Sequence, residues 1–83
     1  MPADIPQLIL FTTLGCHLCE QAKTQLWQAQ AAVQFEFSEQ DIALCNDLVA
    51  SYGARIPVVR DKSSGRELDW PFTADAIKEM LKF

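Results

Sequence analysis

The sequence predicts an α/β domain in the order βαβαββα, a mixed four-stranded sheet flanked by helices. Three observations predict it: an apolar run at residues 8–12 followed by a helical stripe, an alternating stretch at 33–38, and two late strand-like runs closed by another helical stripe. A strand–helix–strand unit builds parallel pairing, and a hairpin after it makes the sheet mixed. With 83 residues, 49% of them apolar, and only three Gly and four Pro, the chain reads as one ordinary folded domain over residues 1–83.

Residues 8–12 (Leu-Ile-Leu-Phe-Thr) form a run without alternation, which suits a strand covered on both faces. From 18 to 33, Leu18, Ala22, Leu26, Ala29 and Val33 recur at spacings of four, four, three and four, one stripe of an amphipathic helix. Residues 33–38 then alternate apolar and polar, as a half-buried strand does. Asp41 offers a helix N-cap, and Leu44, Cys45, Leu48, Val49 and Tyr52 supply the next stripe, stopped at Gly53. On this pattern Cys45 is expected in the core. Residues 56–59 begin a strand with Pro57 near its start, 62–65 make a turn, and 66–69 return. Thr73 caps a last helix whose apolar face is Ala76, Ile77, Met80 and Leu81.

Eleven acidic against seven basic residues give a net charge of -4, and no two Lys or Arg are adjacent. Nucleic acid and anionic membranes are therefore not expected partners. Residues 1–6 lack a basic segment, and the aliphatic run at 8–11 is too short for a signal core or a membrane span. The expectation is a cytoplasmic, reducing setting and a monomer. Three cysteines do not make a disulfide framework, so their spacing calls for another explanation.

Two of them stand as Cys16-His17-Leu18-Cys19, directly after the first strand and at the start of the first helix. Positions three apart on a helix bring α-carbons to about 5 Å, within the range a disulfide accepts. Unpaired N–H groups at the helix start favour a thiolate at Cys16, the expected nucleophile. Cys19, one turn in and on the Leu18/Ala22 side, is the expected resolving thiol. Gly15 lets the loop turn and leaves the thiolate open, and a protonated His17 would favour it further, whereas Glu20 opposes it. The bland alternatives are half of a zinc site, with only Cys45 and His17 as further ligands, or two inert buried thiols.

Through F-T-T-L-G-C-H-L-C, V-Q-F-E-F-S-E-Q-D-I, Y-G-A-R-I-P-V-V and T-A-D-A-I-K-E-M-L, the chain resembles a small glutaredoxin-like protein of the thioredoxin-fold superfamily, closest to a short bacterial branch. The resemblance implies a thiol-disulfide oxidoreductase acting through Cys16 and Cys19 on protein or small-molecule disulfides. It also implies a cis Pro57 facing the active-site cysteine, with the Ile56 N–H and C=O paired to an extended substrate. Arg55 is expected either to hold a substrate carboxylate or the thiolate, or to lie solvated on the surface. Trp70 and Phe72 are expected to line an apolar substrate groove or to pack in the core or as a lid.

Two departures from the glutaredoxin pattern concern the electron donor. The loop reads Thr12-Thr13-Leu14 where a lysine is common, and the turn reads Leu68-Asp69-Trp70-Pro71-Phe72 where a Gly-Gly pair receives a glutathione carboxylate. No resident cofactor is required, and the electron donor is either glutathione or a reductase. The competing readings are an iron-sulfur or metal carrier, with Cys16 from two subunits and added thiols holding a cluster, and a redox-inactive binding module using the Trp70/Phe72 surface.

Overall fold

The computed structural model describes residues 5–81, so the single domain expected over 1–83 runs beyond the described residues at both ends. The elements are β1 (Gln7–Thr12), α1 (His17–Gln30), β2 (Glu36–Asp41), α2 (Asn46–Tyr52), β3 (Val58–Asp61), β4 (Glu67–Asp69) and α3 (Ala74–Met80). They form one sheet of order β2-β1-β3-β4, in which β1 and β2 are parallel and the other two pairings antiparallel. This is the expected βαβαββα sheet flanked by three helices. Among the described residues no helix is long and apolar enough to cross a membrane.

Successive side chains of a strand point to opposite faces, and β1 uses both. Leu8 and Leu10 enter a core with Leu26 and Ala29 of α1, Val59 of β3, and Ile77 and Met80 of α3. Phe11 enters a second, smaller core with Ile42, Tyr52 and Val58, against which Ile9 also packs. The unbroken apolar run of β1 thus reflects burial on two sides.

Four boundaries differ from the sequence reading, each for a local reason. The amide N–H groups of Ala32 and Val33 still donate to the Ala29 carbonyl, at 3.0 and 2.9 Å, so the chain is not extended at 33. Pairing with β1 in the register Gln7↔Glu36 to Thr12↔Asp41 then sets β2 three residues later than the alternation suggests. Leu18 is 43% exposed and Cys19 takes its place in the buried stripe with Ala22, Leu26 and Ala29. On the other side of the sheet, β3 begins at Val58, after Pro57.

The fourth difference overturns the core placement of Cys45. The Asp41 carboxylate accepts the Ala43 N–H at 2.9 Å and starts a 3-10 turn, Ile42–Leu44, rather than an α-helix. Cys45 is extended (φ -144°, ψ 121°), which resets the helical phase before α2 begins at Asn46. A stripe counted through 44, 45 and 48 therefore does not exist: Cys45 is exposed, as is Leu44 at 80%.

The β3–β4 hairpin is built on Asp61, whose residue is 4% exposed. Its carboxylate accepts the Ser63 N–H and hydroxyl, each at 3.0 Å, and the Ser64 hydroxyl at 3.1 Å. Gly65, at φ 78°, closes the turn in the left-handed region that glycine tolerates. Burial alone would raise the Asp61 carboxyl, but the Ser63 and Ser64 hydrogen bonds outweigh it and hold it below its ordinary value. The folded state thus binds the proton more weakly than the unfolded chain. Its stabilisation is complete above the ordinary value of 3.8 and is lost as pH falls through the lower folded value. Asp61→Ala should cost about 1–3 kcal/mol in denaturant titrations at pH 7, with the deficit narrowing below about pH 4.

Candidate functional site

The end of β1 positions the cysteines. After Thr12 the chain turns through Thr13, Leu14 and Gly15, and Gly15 has φ 76° with nothing within 4 Å of an added Cβ. The glycine is used for its backbone angle, not for space. Cys16 follows as the extended N-cap of α1 (φ -88°, ψ 104°), and its Sγ accepts the Cys19 N–H at 3.1 Å. The side-chain sulfur thereby does what an oxygen does in an ordinary N-cap, satisfying one of the amides left open at a helix start.

Cys16 and Cys19 form a disulfide with α-carbons 5.3 Å apart. The pair is unequal: Cys16 is half-buried, whereas Cys19 is 2% exposed beneath it. Leu14 is 90% exposed and His17 is exposed.

A cleft of about 560 Å³ opens at Cys16, lined by the loop from Thr12 to His17 and by Glu20, Lys23, Glu39 and Asp41. As cleft residues Glu39 and Asp41 escaped the sequence reading, which gave Asp41 only as a helix N-cap, because they come from β2. The parallel pairing Thr12↔Asp41 brings them alongside. The available signal was topological: in open α/β sheets the carboxyl ends of parallel strands border ligand crevices. Lys23 bonds Glu20 at 2.7 Å and Glu39 at 3.6 Å, and the Glu20 hydrogen bond foremost raises its pKa.

Of the expected site residues, Gly15, Cys16 and His17 line this cleft, with Cys19 behind; Arg55, Ile56, Pro57 and Trp70 lie outside its lining. The Ile56–Pro57 peptide is cis, as is Trp70–Pro71, which the sequence reading did not single out. The register that pairs Phe11 with Val58 carries Pro57 toward the Thr12 end of β1. Pro57 is buried and its carbonyl accepts the Trp70 N–H at 3.1 Å. The Ile56 N–H, expected to face a substrate strand, donates instead to the Tyr52 carbonyl at 3.0 Å, where the Arg55 N–H also donates at 2.8 Å. A helix end followed by a tight turn consumes both amides. Trp70 is half-buried against the larger core and meets Phe72 edge-on, centroids 5.2 Å apart.

Arg55 lies at the surface, its side chain 37% exposed, and is held by carboxylates of the chain itself. Its Nε and Nη2 hold Asp69 at 3.2 and 2.7 Å, Nη2 also holds Glu67 at 2.9 Å, and the guanidinium lies 5.1 Å over the Tyr52 ring. Tyr52 donates its hydroxyl to Glu67, and Arg60 joins the same pair. This lattice ties the end of α2 to β3 and β4. The hydrogen bond from Tyr52, reinforced by Arg55, lowers the Glu67 carboxyl, and Arg55 lowers Asp69. Among the described residues no group of three or more His, Cys, Asp or Glu is placed to hold a metal ion.

Residues 7–82 match the family model described as Glutaredoxin-like domain (DUF836). A crystal structure of target protein XcR50 from X. campestris is similar at 43% identity, over 89% of this chain and 93% of that one, with a TM-score of 0.76. A solution structure of protein Ne2328 from Nitrosomonas europaea is similar at 26% identity, over 99% and 98% of the two chains, with a TM-score of 0.84. A comparison with curated proteins finds no match.

Two outcomes test this geometry. Gly15→Ala should destabilise the fold by about 1–2 kcal/mol, the cost of a Cβ in the left-handed region, and should not clash; denaturant titration measures it. Tyr52→Phe should raise the Glu67 pKa toward 4.5 in a carboxyl NMR titration, because its largest stabilising partner is removed. Glu67 stabilises the fold above that ordinary value, and its contribution disappears as pH falls through the lowered folded value. The variant should therefore lose less of its stability on acidification than the parent.

Proposed function

The chain belongs to the Glutaredoxin-like domain (DUF836) family, and from that premise we propose that it is a thiol-disulfide oxidoreductase that reduces disulfides with the Cys16/Cys19 dithiol. The observation that carries this reading is the inequality of the pair. Cys16 is reachable and caps α1, while Cys19 is buried within bonding reach of it.

In the reduced protein the open amides of the first helical turn favour the Cys16 thiolate. That thiolate attacks one sulfur of a substrate disulfide, forming a mixed disulfide and expelling the other sulfur as a thiolate. Cys19, on loss of its proton, attacks the Cys16 sulfur, forms the intramolecular disulfide and expels the second substrate thiolate. The substrate gains the two electrons that the dithiol loses. A reductase or glutathione returns the protein to the dithiol, and a cytoplasmic location supplies a poise that favours this direction. The loop at 12–14 offers no lysine and the turn at 68–72 no glycine for a glutathione carboxylate, which favours the reductase as donor.

Alkylation with mass readout across dithiothreitol redox buffers tests the reading. A two-state transition between dithiol and the Cys16–Cys19 disulfide is expected, and failure to form that disulfide at any poise would sink it. Cys16→Ser should reduce turnover to background. Cys19→Ser should accumulate a mixed disulfide on Cys16, visible as an adduct by intact mass.

A further inference from the structure

The cleft at Cys16 carries unbalanced charge. Its lining has three carboxylates, Glu20, Glu39 and Asp41, against Lys23 and His17. Lys23 is already held between Glu20 and Glu39, so an anionic ligand would have to compete with two carboxylates for it. Asp41 has its Oδ1 on the Ala43 N–H, a neutral donor that leaves the carboxylate charge in place. The disulfide is also flanked by exposed apolar side chains, Leu14 at 90% and Leu18 at 43%, which suit a polypeptide surface better than a small polar thiol.

Resting on the oxidoreductase reading, we propose that this cleft selects polypeptide disulfides flanked by basic residues over anionic small thiols, with Glu39 and Asp41 as the residues that set the preference. A cleft lined by one sign of charge concentrates oppositely charged reactants and repels like ones. The β1–β2 pairing brings both carboxylates into the lining of the cleft that opens at Cys16, and exposed charges act on one another over a Debye length of about 8–10 Å. Each thiol exchange also expels a thiolate next to them. A lysine or arginine beside the substrate cysteine offsets that new anion and the cleft carboxylates together. An acidic flank, or the carboxylates of glutathione, would add to the repulsion.

Two measurements separate this proposal from the reading beneath it. In a reduced Cys19→Ser/Cys45→Ser background, only Cys16 remains to react with a cationic trimethylammonioethyl or an anionic sulfonatoethyl methanethiosulfonate. Relative to a free cysteine peptide, the cationic reagent should be favoured about 10-fold at low salt, falling toward parity at 1 M salt. Glu39→Gln with Asp41→Asn should reduce that preference about 3-fold, while the remote Asp75→Asn on α3 should leave it unchanged. Parity at low salt, or an equal loss in the remote variant, overturns the proposal. The wild-type protein should then reduce a Lys-flanked disulfide peptide about 3- to 10-fold faster than a Glu-flanked one. Equal rates overturn the selectivity and leave the oxidoreductase reading standing. Reduction of neither peptide, with the reagent preference intact, overturns the oxidoreductase reading and the substrate assignment with it.

Discussion

Burial of β1 on both faces is the constraint on which the rest of the molecule depends. Leu8 and Leu10 commit one face to α1 and α3, and Ile9 and Phe11 commit the other to the Tyr52 core. A strand fixed from two sides cannot slip by one residue without turning every side chain into the wrong layer. Its C-terminal end is therefore held in register, and with it the short loop that delivers Cys16 to the start of α1. The cysteine pair inherits its position from apolar packing several residues away.

The same register explains what could be read from the residues alone. The strand at 8–12, the helix stripe and the cysteine pair all lie within contiguous stretches, where period and spacing speak directly. So does the fold order, because each element carries its own pattern and its own stop. The cleft was not legible, because Glu39 and Asp41 join Cys16 only through a parallel pairing across more than twenty residues of chain. Cys45 misled for a different reason. Periodicity presumes one continuous helix, and a 3-10 turn followed by an extended residue breaks the count without changing composition. The Arg55 lattice was hidden as well, since its carboxylates lie on β4, brought near by a hairpin and its own Asp61 turn.

Charge is distributed in two separate arrangements around the sheet. On the β3–β4 side, Arg55 and Arg60 meet Glu67, Asp69 and Tyr52, so positive and negative groups are matched and each carboxyl is lowered. Near Cys16 the carboxylates outnumber the lysine. Exposed ion pairs contribute little singly, about 0–1 kcal/mol, but several charges sharing partners hold their geometry better than one pair does. The matched lattice secures the turn at 53–57, including the amides of Arg55 and Ile56 on the Tyr52 carbonyl. Any partner strand that used the Ile56 N–H would first have to displace that carbonyl.

The unequal burial of the two sulfurs orders the proposed chemistry. A thiol that is 2% exposed, as Cys19 is, is closed to a polypeptide disulfide, because the incoming sulfur needs an open line of approach. The first exchange then belongs to Cys16, whose loop lines the cleft. Once a mixed disulfide forms, the position of Cys19 within reach of the same sulfur makes its attack intramolecular, and proximity replaces the encounter a second external thiol would need. The fold thus separates the two tasks by one helical turn. The end of β1 presents the outer sulfur, and α1, packed on the core through Ala22, Leu26 and Ala29, keeps the inner one from reacting with anything else.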